Sequence, residues 1–152
     1  MSLCPCQSKK LYEQCCQPFH LSLKKAQSPE ELMRSRYSAF VLGGLGEYLL
    51  KTWFHTERSR YQLKELNRVN KYYRLDVISA HAVDLLGEVE FKAYYIEENK
   101  IIVLHEKSMF MKENDEWFYA KGSYLPTIPK LLQKNELCPC GSGIKYKLCH
   151  QG

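Results

Sequence analysis

Seven cysteines stand in two groups at opposite ends of this 152-residue chain, and their spacing is its clearest pointer to chemistry. Cys4-x-Cys6 is followed after eight residues by Cys15-Cys16, and Cys138-x-Cys140 is followed after eight residues by Cys149-His150. Set against each other at an offset of 134, residues 3–17 and 137–151 agree at eight of fifteen positions: Leu, Cys, Pro, Cys, Ser, Tyr, Cys and Gln. An odd cysteine count leaves one thiol over in any purely disulfide scheme, whereas a four-cysteine quartet and a three-cysteine-plus-histidine quartet leave none. Four thiolate or imidazole ligands in two local pairs suit tetrahedral zinc, and a full quartet is structural, because catalytic zinc keeps one position open. The expectation is two structural zinc ions, one on Cys4, Cys6, Cys15 and Cys16, the other on Cys138, Cys140, Cys149 and His150.

Each quartet needs a tight turn at Cys-Pro-Cys and a short helix that brings back the second ligand pair. In the C-terminal copy Gly141 and Gly143 flank Ser142, so the chain can take positive φ there without a steric penalty. The N-terminal copy has Gln7 and Lys9 at the same places, and must reach that turn with residues that resist it. Thiol redox chemistry is the competing reading of the same residues. It would act most readily at adjacent Cys15 and Cys16, with metal release and disulfide formation under mild oxidant.

The Cys-x-Cys-x8-Cys-His/Cys pattern with an internal Gly-Ser-Gly and Tyr resembles the SEC-C zinc motif, known from the C-terminal tail of the protein-translocation motor SecA and from otherwise unrelated bacterial proteins. The C-terminal copy matches throughout; the N-terminal copy keeps the ligands and departs at both glycines. Such a motif at each end, around SPEELMRSRYSAFVLGGLGEYLLKTWF at residues 28–54, resembles the uncharacterised bacterial YchJ family over essentially the whole chain. That resemblance implies a nuclear-transport-factor-2-like middle domain and, more weakly, a secretion chaperone, ribosome or membrane surface as partner. The domain reading is 1–20 for the first motif, 28–130 for the middle domain and 134–152 for the second motif.

The elements between the motifs read as helices first and strands after. Ser28-Pro29-Glu30-Glu31 is a helix start with a serine cap, proline in the first turn and acids behind it. Leu32, Met33, Tyr37, Phe40 and Val41 then form an apolar stripe that Gly43-Gly44 ends. A second helix is expected over about 45–54 and a third, mostly polar and only partly helical, over about 56–68. From Tyr72 the period becomes two, with strands near 73–77, 89–95, 101–112 and 117–122 separated by short turns, which implies an antiparallel meander. Pattern alone gives α+β; the family likeness adds the cystatin-like cone, helices on one side of a curved sheet.

A cone of this kind commonly encloses a pocket. In HEKSMF, residues 105–110, alternation puts Glu106, Ser108 and Phe110 on one face with Leu104, and His105, Lys107 and Met109 on the other. Tyr37, mid-helix, can face the first set, so the pocket candidates are Tyr37, Glu106, Ser108 and, if the facing is inverted, His105. The plainer readings are a solvent-facing Glu106, or one satisfied by Arg34 or Arg36, and a hydrogen-bonded core His105. No nucleophile elbow, glycine-rich phosphate loop or His-Glu-x-x-His occurs, so no catalytic residue is assigned.

Net charge is +5, with Lys24 and Lys25 after the first motif and Lys130, Lys134, Lys145 and Lys147 around the second. Basic ends suit an acidic partner surface, although such an excess also reads as ordinary solvated lysine. The eleven tyrosines more readily pack a core than stack bases, so sequence-specific nucleic-acid recognition is not expected. The longest uncharged apolar run, residues 38–46, is too short to cross a bilayer and no targeting segment is visible, which leads to a reducing cytoplasm. Three functions follow: an adaptor with zinc knuckles that contact a protein, ribosome or acidic surface; a small-molecule or enzymatic pocket in the middle domain; and a zinc-linked thiol sensor.

Overall fold

The computed structural model describes residues 2–150. The N-terminal motif folds as a knuckle, with a single 3-10 turn at Tyr12–Gln14 and a one-turn helix α1 at Gln17–His20. The long helix α2, Pro29–Leu42, starts where the local chemistry demands. Ser28 Oγ accepts from the Glu31 backbone N–H at 3.1 Å, Pro29 occupies the first turn, and the Glu31 carboxylate accepts from the Gln27 N–H at 2.7 Å.

After α2 the chain makes α3, Gly46–Lys51, and then a looser stretch in which only a 3-10 turn at Arg58–Arg60 and the one-turn α4, Leu63–Leu66, are regular. The helix expected over 56–68 is thus reduced to two turns. That segment buries Leu66 alone, and a helix without an apolar face to pack gains too little to offset nucleation.

Four long strands follow as an antiparallel meander in the order β1 (Arg74–Val83), β2 (Leu86–Glu97), β3 (Lys100–Glu113) and β4 (Glu116–Leu125). A two-residue strand that the sequence did not suggest, β5 (Lys130–Leu131), pairs with the start of β3 and leads the chain to the second knuckle, whose single helical turn is α5, Tyr146–Cys149. Ladder irregularities between Val77 and Ser79 and between Met109 and Phe110 bend the sheet. Its concave face carries Leu75, Val89, Phe91, Ala93, Phe110 and Trp117, all buried, against Leu32, Met33, Tyr37 and Ala39 of α2. The loop after α3 is stitched to β4 by Phe54 N–H to Tyr119 O and Tyr119 N–H to Thr52 O, each 2.8 Å. Among the described residues no helix is long and apolar enough to cross a membrane.

Candidate metal centres and interior pocket

The sequence repeat is a structural repeat down to single hydrogen bonds. Cys4 N–H donates to Lys10 O at 2.8 Å, and Cys138 N–H to Ile144 O at 2.9 Å; Gln7 N–H to Cys4 O and Gly141 N–H to Cys138 O are both 3.3 Å. Each knuckle has one antiparallel bridge, Leu3 with Leu11 and Leu137 with Lys145. The expected strain is present: Gln7 and Lys9 stand at φ 69° and 70°, where the second copy has Gly141 and Gly143 at 87° and 82°. A side chain in that region costs about 1–2 kcal/mol per residue. The first knuckle tolerates the cost because it is packed into the domain core and the second is not.

That packing is specific. Cys4, Cys6 and Cys16 are buried within the same apolar cluster as α2 and the sheet, with Cys6 and Cys16 at 0% and 1% exposure. Ser38 of α2 lies 3.4 Å from Cys16 Sγ and 3.5 Å from Cys4 Sγ, and Arg34 Nη1 donates to Cys6 O at 2.6 Å. The second knuckle rests on a small satellite cluster of Leu132, Cys138 and Tyr146 beside Ile96 and Ile101. The matched tyrosine anchors each knuckle by a different route. Tyr146 Oη donates directly to Asn99 Oδ1 of the body at 2.7 Å, whereas Tyr12 Oη bonds His20 Nδ1 at 2.7 Å within the first knuckle and reaches α2 only through that histidine, whose Nε2 meets Ser35 O.

Both quartets fit a tetrahedral ion. In each, one ligand atom per residue lies within 4.8 Å of all the others, and all seven thiols are free of disulfides. Zinc–sulfur bonds of about 2.3 Å put tetrahedral sulfurs roughly 3.8 Å apart. Cys6 and Cys15 sulfurs stand at 3.5 Å, Cys15 and Cys16 at 3.9 Å, Cys140 and Cys149 at 3.5 Å, and His150 Nδ1 at 3.0 Å from Cys138 Sγ. Crowded sulfurs share protons unevenly. Hydrogen bonds from Cys16 and Cys4 hold the Cys6 thiol low, while burial pushes Cys15 and Cys138 each to about 11. Metal binding therefore displaces protons, and acid opposes it.

Between α2 and the concave face lies a cavity of about 250 Å³ lined by Tyr37, Glu106 and Ser108. His105 is not among its walls. It projects from the opposite face, where Nε2 meets Glu90 Oε2 at 2.7 Å, because the alternation of β3 that turns Glu106 inward necessarily turns His105 out. Nor does an arginine satisfy Glu106. Its Oε2 accepts from Ser108 Oγ and from Tyr119 Oη at 2.9 Å, while Arg34 is spent on Glu30 and Cys6 O, and Arg36 Nη1 on Leu49 O and Thr52 Oγ1. Arg36 does line the same cavity, packed against the edge-to-face pair of Trp53 and Tyr119 with Cζ 4.3 Å from the Trp53 ring centroid and 4.8 Å from that of Tyr119.

Comparison with known proteins decides the relationship. Residues 28–122 match the family model described as the YchJ, middle NTF2-like domain, and residues 135–152 match the SEC-C motif. A UPF0225 protein of Vibrio cholerae serotype O1 is 37% identical over 150 residues, covering 96% of this chain and 97% of its own. A UPF0225 protein of Shewanella sp. strain ANA-3 is 40% identical over 157 residues, covering 96% and 94%. The chain belongs to the UPF0225, or YchJ, family. Solved structures agree. The solution structure of a SEC-C motif containing protein from Rhodopseudomonas palustris aligns with TM-score 0.74 at 29% identity, over 81% of this chain and 98% of that one. The crystal structure of a SEC-C motif containing protein from Psychrobacter arcticus gives 0.71 at 30%, over 96% and 93%.

In this YchJ-family chain the join between first knuckle and middle domain is one that the sequence reading passed over, His20. It is buried, accepts from Tyr12 Oη at Nδ1, and directs Nε2 at Ser35 O, 2.8 Å away, which makes Nε2 the protonated nitrogen. Burial holds its pKa below the ordinary 6.5. A histidine that is harder to protonate when folded stabilises the fold fully above its unfolded pKa and loses that contribution as pH falls below it. Melting midpoints should therefore drop between pH 6.5 and 5 by more in the wild type than in His20→Gln, with at most about 1.4 kcal/mol per pH unit separating them.

Proposed function

We propose that this protein is a zinc-dependent docking protein of a reducing compartment, in which the first zinc centre is a folding element and the second displays a surface for an acidic protein partner. The unequal burial of two otherwise superimposable knuckles carries the reading. The first is sunk in the core, where Ser38 and Arg34 hold its ligands and backbone. The second keeps Leu137 67% and Leu148 70% exposed, with Ile144, Lys134, Lys145 and Lys147 also at the surface. Metal binding in so small a motif is folding free energy, so zinc would fix the shape of that face. A three-cysteine-plus-histidine centre carries about one negative charge with its ion, fewer than the three lysines beside it.

Two measurements test this. Protein purified in reductant without a metal-binding tag should hold two zinc ions per chain, and Cys149→Ala should hold one. Metal-free reduced protein would return the thiols to redox chemistry. A photoreactive residue in place of Ile144 or Leu148 should then cross-link one common acidic protein in cells, with the product lost in Lys145→Glu/Lys147→Glu. Absence of a product, or an equal yield from exposed Ile78 in the middle of β1, would overturn the docking role.

A further inference from the structure

The middle-domain cavity holds two buried charges that the fold leaves incompletely used. Arg36 is 5% exposed and Glu106 is 6% exposed, yet among the described residues neither forms an ion pair. Burial lowers the Arg36 pKa to about 10, so it keeps its charge at neutral pH. Unpaired buried charges are among the costliest arrangements in a protein interior and persist where something completes them.

The geometry shows what is left to complete. Arg36 Nη1 is taken by Leu49 O at 2.7 Å and Thr52 Oγ1 at 2.6 Å, and among the described residues its Nε and Nη2 have no protein acceptor. Those two N–H groups form the side-on edge of the guanidinium, two parallel donors that match the two oxygens of a carboxylate. Trp53 lines the same cavity, and its indole Nε1–H is, among the described residues, the enclosed side-chain donor without a partner. Glu106 adjoins the same Tyr119: its Oε2 accepts from Tyr119 and Ser108, the Tyr124 hydroxyl stands close to the same carboxylate, and among the described residues its Oε1 accepts no hydrogen bond and is the position for one further donor.

The remaining walls are aromatic and aliphatic, with Tyr72, Phe91, Phe110 and Leu104 among them. An apolar cavity of about 150 Å³ accommodates benzene. The roughly 250 Å³ here therefore suits one ring with polar substituents and is smaller than the pockets that enclose drug-sized molecules.

We propose that this cavity binds a compact aromatic carboxylate bearing a hydroxyl or amino donor, its carboxylate on the free edge of Arg36, its ring among the aromatic walls and its donor on Glu106. The site stands apart from both metal centres and needs neither ion for recognition.

The probe is 4-hydroxybenzoate, titrated by calorimetry into the full-length protein, with benzoate and benzyl alcohol as comparisons. Saturable binding is expected for 4-hydroxybenzoate, with benzoate weaker through loss of the Glu106 contact. Benzyl alcohol, which keeps the ring and a hydroxyl but lacks the carboxylate, should bind about ten- to hundredfold more weakly than benzoate, the range for a hydrogen bond to a charged group. Arg36→Lys, which keeps the charge and loses the fork, should show the same loss for 4-hydroxybenzoate. Glu106→Gln should narrow the gap between 4-hydroxybenzoate and benzoate. Because the three probes are compared on unaltered protein, the result stands whether or not a variant folds. Equal affinity for benzyl alcohol and benzoate, unchanged binding by a folded Arg36→Lys, or no saturation by any probe at millimolar concentration would overturn the assignment.

Discussion

With zinc in both knuckles as proposed, Cys16→Ala should unfold the middle domain at ordinary temperatures, whereas Cys149→Ala should leave it folded and remove one zinc. The difference follows from where the two equivalent knuckles sit. Cys16 is fully buried in the main core, its sulfur accepts from Ser38 of α2, and the adjacent α1 brings Phe19 and His20 into the same cluster. Removing one sulfur leaves Cys4 and Cys6 as buried thiols around a cavity. Structural zinc in small motifs contributes on the order of 10–16 kcal/mol of apparent folding free energy, as much as the whole 5–15 kcal/mol stability of an ordinary domain. Cys149 packs on a satellite cluster that, among the described residues, is joined to the body by the side-chain hydrogen bond of Tyr146 to Asn99 in the β2–β3 turn, so its loss should release the knuckle alone. Circular dichroism melting with metal analysis on both variants checks this, and a chelator titrated into wild type should reproduce the pair in two steps, second centre first. Equal melting midpoints for the two variants would contradict the structural role given to the first centre.

The first knuckle was the harder of the two to read from sequence, and the reason is physical. Its ligand spacing was plain, as was the strain that Gln7 and Lys9 would meet. What sequence could not give was the compensation, because Ser38, Arg34 and His20 lie 15 to 34 residues from the atoms they hold. Strands were legible where the alternation is clean, as over Val89 to Tyr95 of β2; in β3 the alternation grouped Glu106 with Ser108, but apolar residues on both faces left open which group turns inward, and the burial of Glu106 and Ser108 decides it. Residues 56–68 were legible only as partly helical, and two single turns form there, since their few apolar side chains define no face. Arg36 was the missed signal within reach. It stands four residues from Leu32 and four from Phe40, inside the apolar stripe of α2, and a charge in that position must be either satisfied or in use. Tyr119 was within reach as well: it stands two residues from buried Trp117, and the ladder irregularity of β4 falls only after it, between the pairs Phe110–Tyr119 and Met109–Lys121.

Gly122 tests how tightly the interior carboxylate is held. It sits on β4 opposite Ser108, and its backbone is ordinary strand, so φ does not require glycine there. Space does. A Cβ would stand 2.4 Å from Glu106 Oε2 and 2.6 Å from both Glu106 Cδ and Tyr119 Oη. Neither neighbour is the free end of a flexible chain, since each is fixed by the other and by Ser108. Gly122→Ala should cost about 1–3 kcal/mol from overpacking, and a similar amount again if Glu106 is driven off its two hydroxyl donors. For a chain of this length each kcal/mol lowers the melting midpoint by about 2–4 °C. The cause is separable from a general weakening of β4. In a Glu106→Ala background the clashing carboxylate is gone, so the added cost of Gly122→Ala should fall by at least about 1 kcal/mol, a coupling characteristic of side chains in contact. Urea denaturation of the four proteins, with unchanged m-values, measures it. Additive losses would mean that strand propensity, not the carboxylate, is what glycine protects, and the pocket would then have no fixed acceptor to offer.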